Sequence, residues 1–150
     1  MREFLFRGKR TDNGEWIKGG IYVQKADDVK DETVYIIGGS LNDVGCAYPV
    51  EPESVGQYTG LTDKKGKKIF AGDIIKFHKY RGEPNWVGIV EYEYCLYVAK
   101  GEMPLSYEKP RDGDAIRGKF ETQLSSIDTS TIEVIGNIHD NSELLKEGVE

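Results

Sequence analysis

The chain has 150 residues, 38% of them hydrophobic and 31% charged, with a formal net charge of −6. This length suits one domain or two small β subdomains, and the apolar content supports a core, which excludes wholesale disorder. The acidic balance argues against indiscriminate nucleic-acid binding, and no apolar run approaches the roughly 20 residues of a membrane span.

The 18 glycines and 9 tyrosines are the compositional signature. Glycine serves turns that need positive φ and tyrosine suits half-buried pleated surfaces, so both point to an all-β protein rich in tight turns. The opening MREFLFRGKR lacks the apolar run of a signal peptide. With Cys46 and Cys95 as the only cysteines, a cytoplasmic protein with free thiols is the expectation, and a Cys46–Cys95 bridge the lesser alternative.

In chain order, FLFRGKRTDNGEWIKGGIYV predicts a β-hairpin. Asn13-Gly14 calls for a type I′ turn, which needs positive φ at both central positions. Gly19-Gly20 predicts a bulge or bend in the second arm, which Ile21 and Val23 continue. An acidic connection (24–32) leads to a short strand, TVYIIGG, ended by glycines. In the loop-like 40–54, Pro49 and Pro52 exclude a central strand.

VGQYTGL follows as an edge-like strand, and Asp63-Lys64-Lys65-Gly66 as a turn with Gly66 in the left-handed conformation of a G1 bulge. KIFAGDIIKFHKY holds the clearest strand, its alternation suiting a sheet with one buried face, and Asp73 is placed to bond local backbone amides. WVGIVEYEYCLYVA predicts one long bent strand or a strand pair. Residues 100–130 predict a long loop with one or two short strands. IEVIGNIHD closes the sheet, and a short C-terminal helix follows, with Asp140 as cap, Glu143 as its reciprocal partner and Gly148 as its end. The pattern divides into residues 1–60 and 61–150.

Charge is unevenly spread. Lys64, Lys65, Lys67, Lys68, Lys76, Lys79 and Arg81 face only Asp63 and Asp73 within 62–82, a local excess of +5 that leaves −11 elsewhere. With Tyr58, Phe77, Tyr80 and Trp86 near in sequence, this patch could grip a phosphate backbone while rings stack on bases. The plainer reading is a solvated turn whose lysines blunt an edge strand.

Catalytic constellations are not visible. His78 and His139 have no nucleophile with an elbow motif beside them, and Cys46, Cys95, His78 and His139 lack metal-ligand spacing. Glu91 and Glu93 share a strand face, read as the solvent side, and Asp112-Gly113-Asp114 reads as a turn. No catalytic residue, metal or other cofactor is expected, and the chain is read as a non-enzyme. The strand aromatics Trp16, Tyr22, Tyr92, Tyr94 and Tyr97 exceed what one face of a small core hides, which suggests an interaction surface and a homo-oligomer.

Three blocks, FRGKRTDNGEWIKG, VGQYTGLTDKKGKKIFAGDIIKF and IEVIGNIHDNSELL, resemble the YopX family of bacteriophage and prophage proteins. They stand near the start, middle and end of the chain, so the resemblance covers its whole architecture. It implies a small all-β protein of the bacterial host cell, with an SH3-like barrel in the second half. It implies no settled activity and hence no catalytic residues. The function expected is therefore that of an accessory protein-binding or self-assembling module with a host or phage protein partner. The alternative is a nucleic-acid-binding module using the 62–82 patch.

Overall fold

A computed structural model describes residues 3–25, 32–38, 45–77, 86–93, 96–104 and 117–147. Eleven strands follow in chain order: β1 (Phe6–Lys9), β2 (Trp16–Lys25), β3 (Glu32–Ile37), β4 (Ala47–Val50), β5 (Gly56–Thr62), β6 (Lys68–Phe70), β7 (Asp73–Phe77), β8 (Trp86–Glu93), β9 (Leu96–Pro104), β10 (Arg117–Gln123) and β11 (Ile132–Asn137). One helical turn, α1 (Leu144–Glu147), ends the described chain. The protein is all-β, built on antiparallel sheets, and divides into compact units Met1–Gly60 and Leu61–Glu150. The division falls inside β5, at Gly60, whose φ of +88° is a conformation that favours glycine.

In the first unit the strands run in the order β4-β3-β2-β1-β5. The β1–β2 hairpin forms where Asn13-Gly14 predicts it, but not through a two-residue turn. Arg10 donates its N–H to the Glu15 carbonyl at 2.9 Å and Gly14 donates to the Arg10 carbonyl at 3.0 Å, leaving a four-residue loop. Gly14 takes the positive φ, +73°, while Asn13 accepts the Glu15 N–H on its side-chain oxygen at 2.9 Å. Arg10 clasps Asp12 within the loop and lies over the Tyr48 ring, 4.3 Å from its centre.

At Gly19-Gly20 strand β2 changes partner. Residues 16–19 pair with β1 and residues 20–25 pair with β3. The backbones crowd there: a Cβ on Gly19 would lie 2.0 Å from the Ile37 carbonyl oxygen, and one on Gly38 would lie 2.5 Å from that of Lys18. Glycine is required by this close approach rather than by φ. The core beneath is small, with Val34, Ile36 and Val50 buried and Phe6, Ile17 and Val55 packed against them. Strand β4 does form around Pro49 at the end of the strand order, and its other side meets the chain past β1 through the Arg10–Val50 bridge, with Thr11 donating its N–H to the Pro49 carbonyl at 3.1 Å.

The second unit carries the larger core of Ile69, Ile75, Phe77, Trp86, Val90, Ala99, Leu124, Ile132 and Val134. Its five-stranded sheet runs β10-β9-β8-β7-β11. Opposite one another on β7 and β8, the Phe77 and Trp86 rings stack within 17° of parallel. Ile74 is fully buried like Ile75, so the face it shares with the half-buried Lys76 is less open to solvent than the alternation in the β7 sequence suggests. The strand lies between β8 and β11 in its sheet. The clearest strand of KIFAGDIIKFHKY is β7, preceded by the short β6 and joined to it at Gly72, whose φ is +86°, and the Asp73 carboxylate accepts the Phe70 N–H at 2.8 Å, the local amide bond its sequence predicts.

Three further expectations need revision. VGQYTGL is not an edge, because β1 bonds to it at Gly56 and Gln57 and its last residues feed the turn into β6. WVGIVEYEYCLYVA is a strand pair, the second of its two readings, but the long loop expected from residue 100 is shortened, because β9 runs on to Pro104 and β10 spans seven residues. The C-terminal helix begins at Leu144, so Asp140 does not cap it; Asp140 instead accepts the Asn137 side-chain amide in the preceding turn. Gly148 and residues 105–116 lie outside the described residues.

The crowding at Gly19 gives a paired test. Gly19→Ala forces a methyl into a backbone oxygen and should destabilise the first unit by about 3 kcal/mol in urea unfolding. Gly20→Ala, whose nearest non-neighbour would be 3.9 Å away, should stay within about 1 kcal/mol of the parent.

Candidate interaction surfaces

The lysine-rich turn is built around a buried carboxylate. Asp63 is 5% exposed. One of its oxygens accepts the backbone N–H groups of Lys65 (2.8 Å) and Lys67 (2.9 Å), and the other accepts that of Val134 on β11 (3.0 Å). Gly66, at φ +79°, closes the turn by donating to the Asp63 carbonyl at 2.9 Å, the G1-bulge geometry its sequence predicts. Lys64 donates its own backbone N–H to the Ile132 carbonyl at 2.9 Å. The turn therefore occupies the side of β11 that faces away from β7, and Asp63 supplies the acceptor that a neighbouring strand would otherwise provide.

Burial works to raise the Asp63 pKa, but the amides of Val134, Lys67 and Lys65, with the charge of Lys67, outweigh it and hold the carboxyl below its ordinary value. Outside the turn, Glu133 on β11 holds both Lys64, at 2.8 Å, and Lys65, and the latter ammonium is pushed up by its bond to Glu133. Glu133 also lies opposite Lys76 across the β7–β11 ladder. Of the predicted basic patch, Lys64, Lys65 and Lys76 thus surround one carboxylate. Lys67 is exposed near Asp63 and Lys68 is half-buried, while Lys79 and Arg81 lie outside the described residues.

A second ionic cluster had no sequence signal beyond Glu91 and Glu93 sharing a face. Lys100 on β9 lies 2.5 Å from Glu93, 3.5 Å from Glu91 and 3.7 Å from Glu121. Its bond to Glu93 is the chief reason its pKa is raised, with burial opposing and the other carboxylates adding to it. The register sets Lys100 opposite Glu121 on β10 and Ile89 on β8, which places it on the strand face that Glu91 and Glu93 share.

The predicted aromatics fall on both units. Trp16 is half-buried, with the Arg7 guanidinium 5.0 Å from its ring centre. Tyr22 is 51% exposed and faces Tyr35 across the β2–β3 ladder, ring centres 6.2 Å apart. Tyr92 is 58% exposed and opposes Tyr97, half-buried against the core, at 5.0 Å. Tyr94 lies outside the described residues, as do His78 and Cys95; Cys46 is exposed with a free thiol. Exposed aliphatics that the sequence reading did not assign to a surface, Ile21, Val23 and Ile37, accompany Tyr22.

Among the described residues no three of His, Cys, Asp and Glu gather to hold a metal. His139 sits in a turn, donating its backbone N–H to the Asn137 side chain at 2.9 Å. No described helix is long and apolar enough to cross a membrane.

Asp63→Ala removes the acceptor of three backbone amides and should cost about 3 kcal/mol, read as a lower unfolding midpoint. Asp63→Asn keeps one acceptor oxygen and should cost less. Because the folded-state pKa is lowered, the stabilisation is complete above the unfolded value of about 4 and is lost as pH falls through the folded one. Below about pH 4 the stability of Asp63→Asn should therefore fall less steeply than that of the parent.

The YopX protein family model matches residues 5–146. Among solved structures, the chain is similar to protein yopX from Bacillus subtilis, at 18% identity and a TM-score of 0.53 over 100% of both chains. It is also similar to protein EF1440 from Enterococcus faecalis, at 23% identity and a TM-score of 0.50 over 97% of this chain and 99% of that one. No curated protein matches it. These structural likenesses show a shared fold, and with a family model spanning both units, the chain belongs to the YopX protein family.

Proposed function

We propose that this YopX-family chain is a non-enzymatic accessory module of a phage or prophage, acting in the bacterial cytoplasm by assembling with itself and with host or phage proteins. One observation carries the reading: large apolar side chains stand exposed on regular strands, Ile21, Tyr22, Val23 and Ile37 on the β2–β3 arm and Tyr92 and Leu96 on the β8–β9 pair. Clusters of this kind on ordered strands mark docking surfaces. The five-stranded antiparallel sheet of the second unit, a β7–β10 meander with β11 returning beside β7, supports reading it as an SH3-like barrel.

The nucleic-acid alternative has weaker support, because Lys64 and Lys65 are both engaged by Glu133. It makes a distinct claim about Glu133→Gln, which releases both ammonium groups: retention on a polyanion column should rise, with a steeper dependence on salt. We expect instead that neither protein is retained at physiological salt.

Sedimentation velocity across the micromolar range tests self-assembly. The expected result is a mass of two chains or more that increases with concentration. A single-chain mass throughout would remove the self-assembly part of the proposal. A nuclease-resistant protein band in a pull-down from host lysate would support the partner-binding part, and its absence would count against it.

A further inference from the structure

The chain holds five asparagines, and only Asn13 is followed by glycine. That pairing has a chemistry of its own. The backbone nitrogen after an asparagine can attack the side-chain amide carbon, and glycine, with no Cβ to obstruct the approach, offers the most accessible such nitrogen. Asn13 and Gly14 both lie exposed in the loop between β1 and β2, where water reaches them.

Hydrogen bonds within the loop hold both reacting groups. The Gly14 N–H, whose proton must leave before the nitrogen can attack, is bound to the Arg10 carbonyl at 3.0 Å. Glu15 grips the Asn13 amide from both ends: the amide oxygen accepts the Glu15 N–H at 2.9 Å, and the amide nitrogen donates to the Glu15 carboxylate at 3.1 Å. The first half of the loop is anchored as well, by the Thr11 N–H on the Pro49 carbonyl at 3.1 Å and by the Arg10–Asp12 clasp. Bringing the Asn13 Cγ to bonding distance of the Gly14 nitrogen works against the bonds to Glu15 and Arg10.

We propose that Asn13-Gly14 is a self-modification site governed by its own loop: intact while Glu15 and Arg10 hold it, and converted to an acidic residue when the loop opens. In the open loop the Gly14 nitrogen gives its proton to hydroxide and bonds to the Asn13 Cγ. The Cγ–Nδ2 bond breaks and that nitrogen leaves as ammonia. Water then opens the resulting five-membered imide at either carbonyl. Opening at the side-chain carbonyl gives aspartate, and opening at the main-chain carbonyl gives isoaspartate. Water is the only co-reactant, and nothing is oxidised or reduced.

Either product undoes the clasp that delayed it. Aspartate keeps an oxygen for the Glu15 N–H but loses the donor to the Glu15 carboxylate, and it sets like charges against each other there. Isoaspartate routes the main chain through the Asn13 Cβ and so lengthens it by a carbon, which displaces Glu15 from its closing pair with Arg10. The reaction therefore runs in one direction, from a loop that restrains it to a loop that does not.

The test follows the amide-to-acid mass gain at residue 13 by peptide mapping of the full chain, incubated in mildly alkaline buffer with and without urea. The folded parent should convert at least about tenfold more slowly than the unfolded one, because reaction from an open state tracks the population of that state. Glu15→Ala should narrow this ratio. Glu15→Gln, which keeps an oxygen to accept from the Asn13 amide, should restore most of it. Dividing each folded rate by the same variant's rate in urea removes any effect of residue 15 on the intrinsic reaction. Conversion as fast in the folded parent as in urea would overturn the proposal, and a ratio that Glu15→Ala leaves unchanged would overturn the role of Glu15. If Glu15→Ala fails to fold, the ratios of the parent and Glu15→Gln decide the matter.

Discussion

The Asp63 carboxylate joins two backbone segments through three amides, because its two oxygens accept from Lys65 and Lys67 within the turn and from Val134 on β11. A buried carboxylate is costly unless it is fully hydrogen-bonded, and here three amides meet that demand. The exchange works in both directions. The turn gains a fixed shape, and β11 gains an acceptor on the side where its sheet ends. The terminal strand of the second unit, Ile132 and Val134 with it, is held against Ile75 and Phe77 by this arrangement.

The four lysines around Gly66 follow from the same constraint. A turn folded over a strand edge must present polar side chains outward, and Lys64 and Lys65 find Glu133 on the strand beneath them. Their positive charge is set against a carboxylate of the same unit, which makes them part of the edge cover before they are anything else. Among the described residues, the first unit's core is the small cluster of Val34, Ile36 and Val50, with Phe6, Ile17 and Val55 against it.

Some features were legible because they depend on one or two neighbouring residues. Gly66 and Gly14 take positive φ where turn chemistry calls for it, and Asp73 bonds a local amide ahead of β7. Others were misread because the deciding partner is distant in sequence. Ile74 is buried as fully as Ile75 although it shares a face with the half-buried Lys76, which alternation with a lysine conceals. Asp140 has the look of a helix cap, but Asn137 already bonds it, and the helical turn starts later. Asn13-Gly14 marks a hairpin correctly while leaving its loop length open, since Arg10 and Glu15 choose the closing pair.

By itself, then, the sequence determined that the chain is β-rich, where most of its turns fall, and that the blocks at its start, middle and end resemble the YopX family. Those properties reside in local dihedral preference and in the order of short motifs. Only the tertiary structure decided which strand sides are covered, that Glu133 takes up Lys64 and Lys65, and that Ile21, Tyr22 and Val23 remain exposed. The physical reason is that burial and pairing are set by residues tens of positions apart, Asp63 with Val134 or Gly19 with Ile37, and no local pattern encodes that separation.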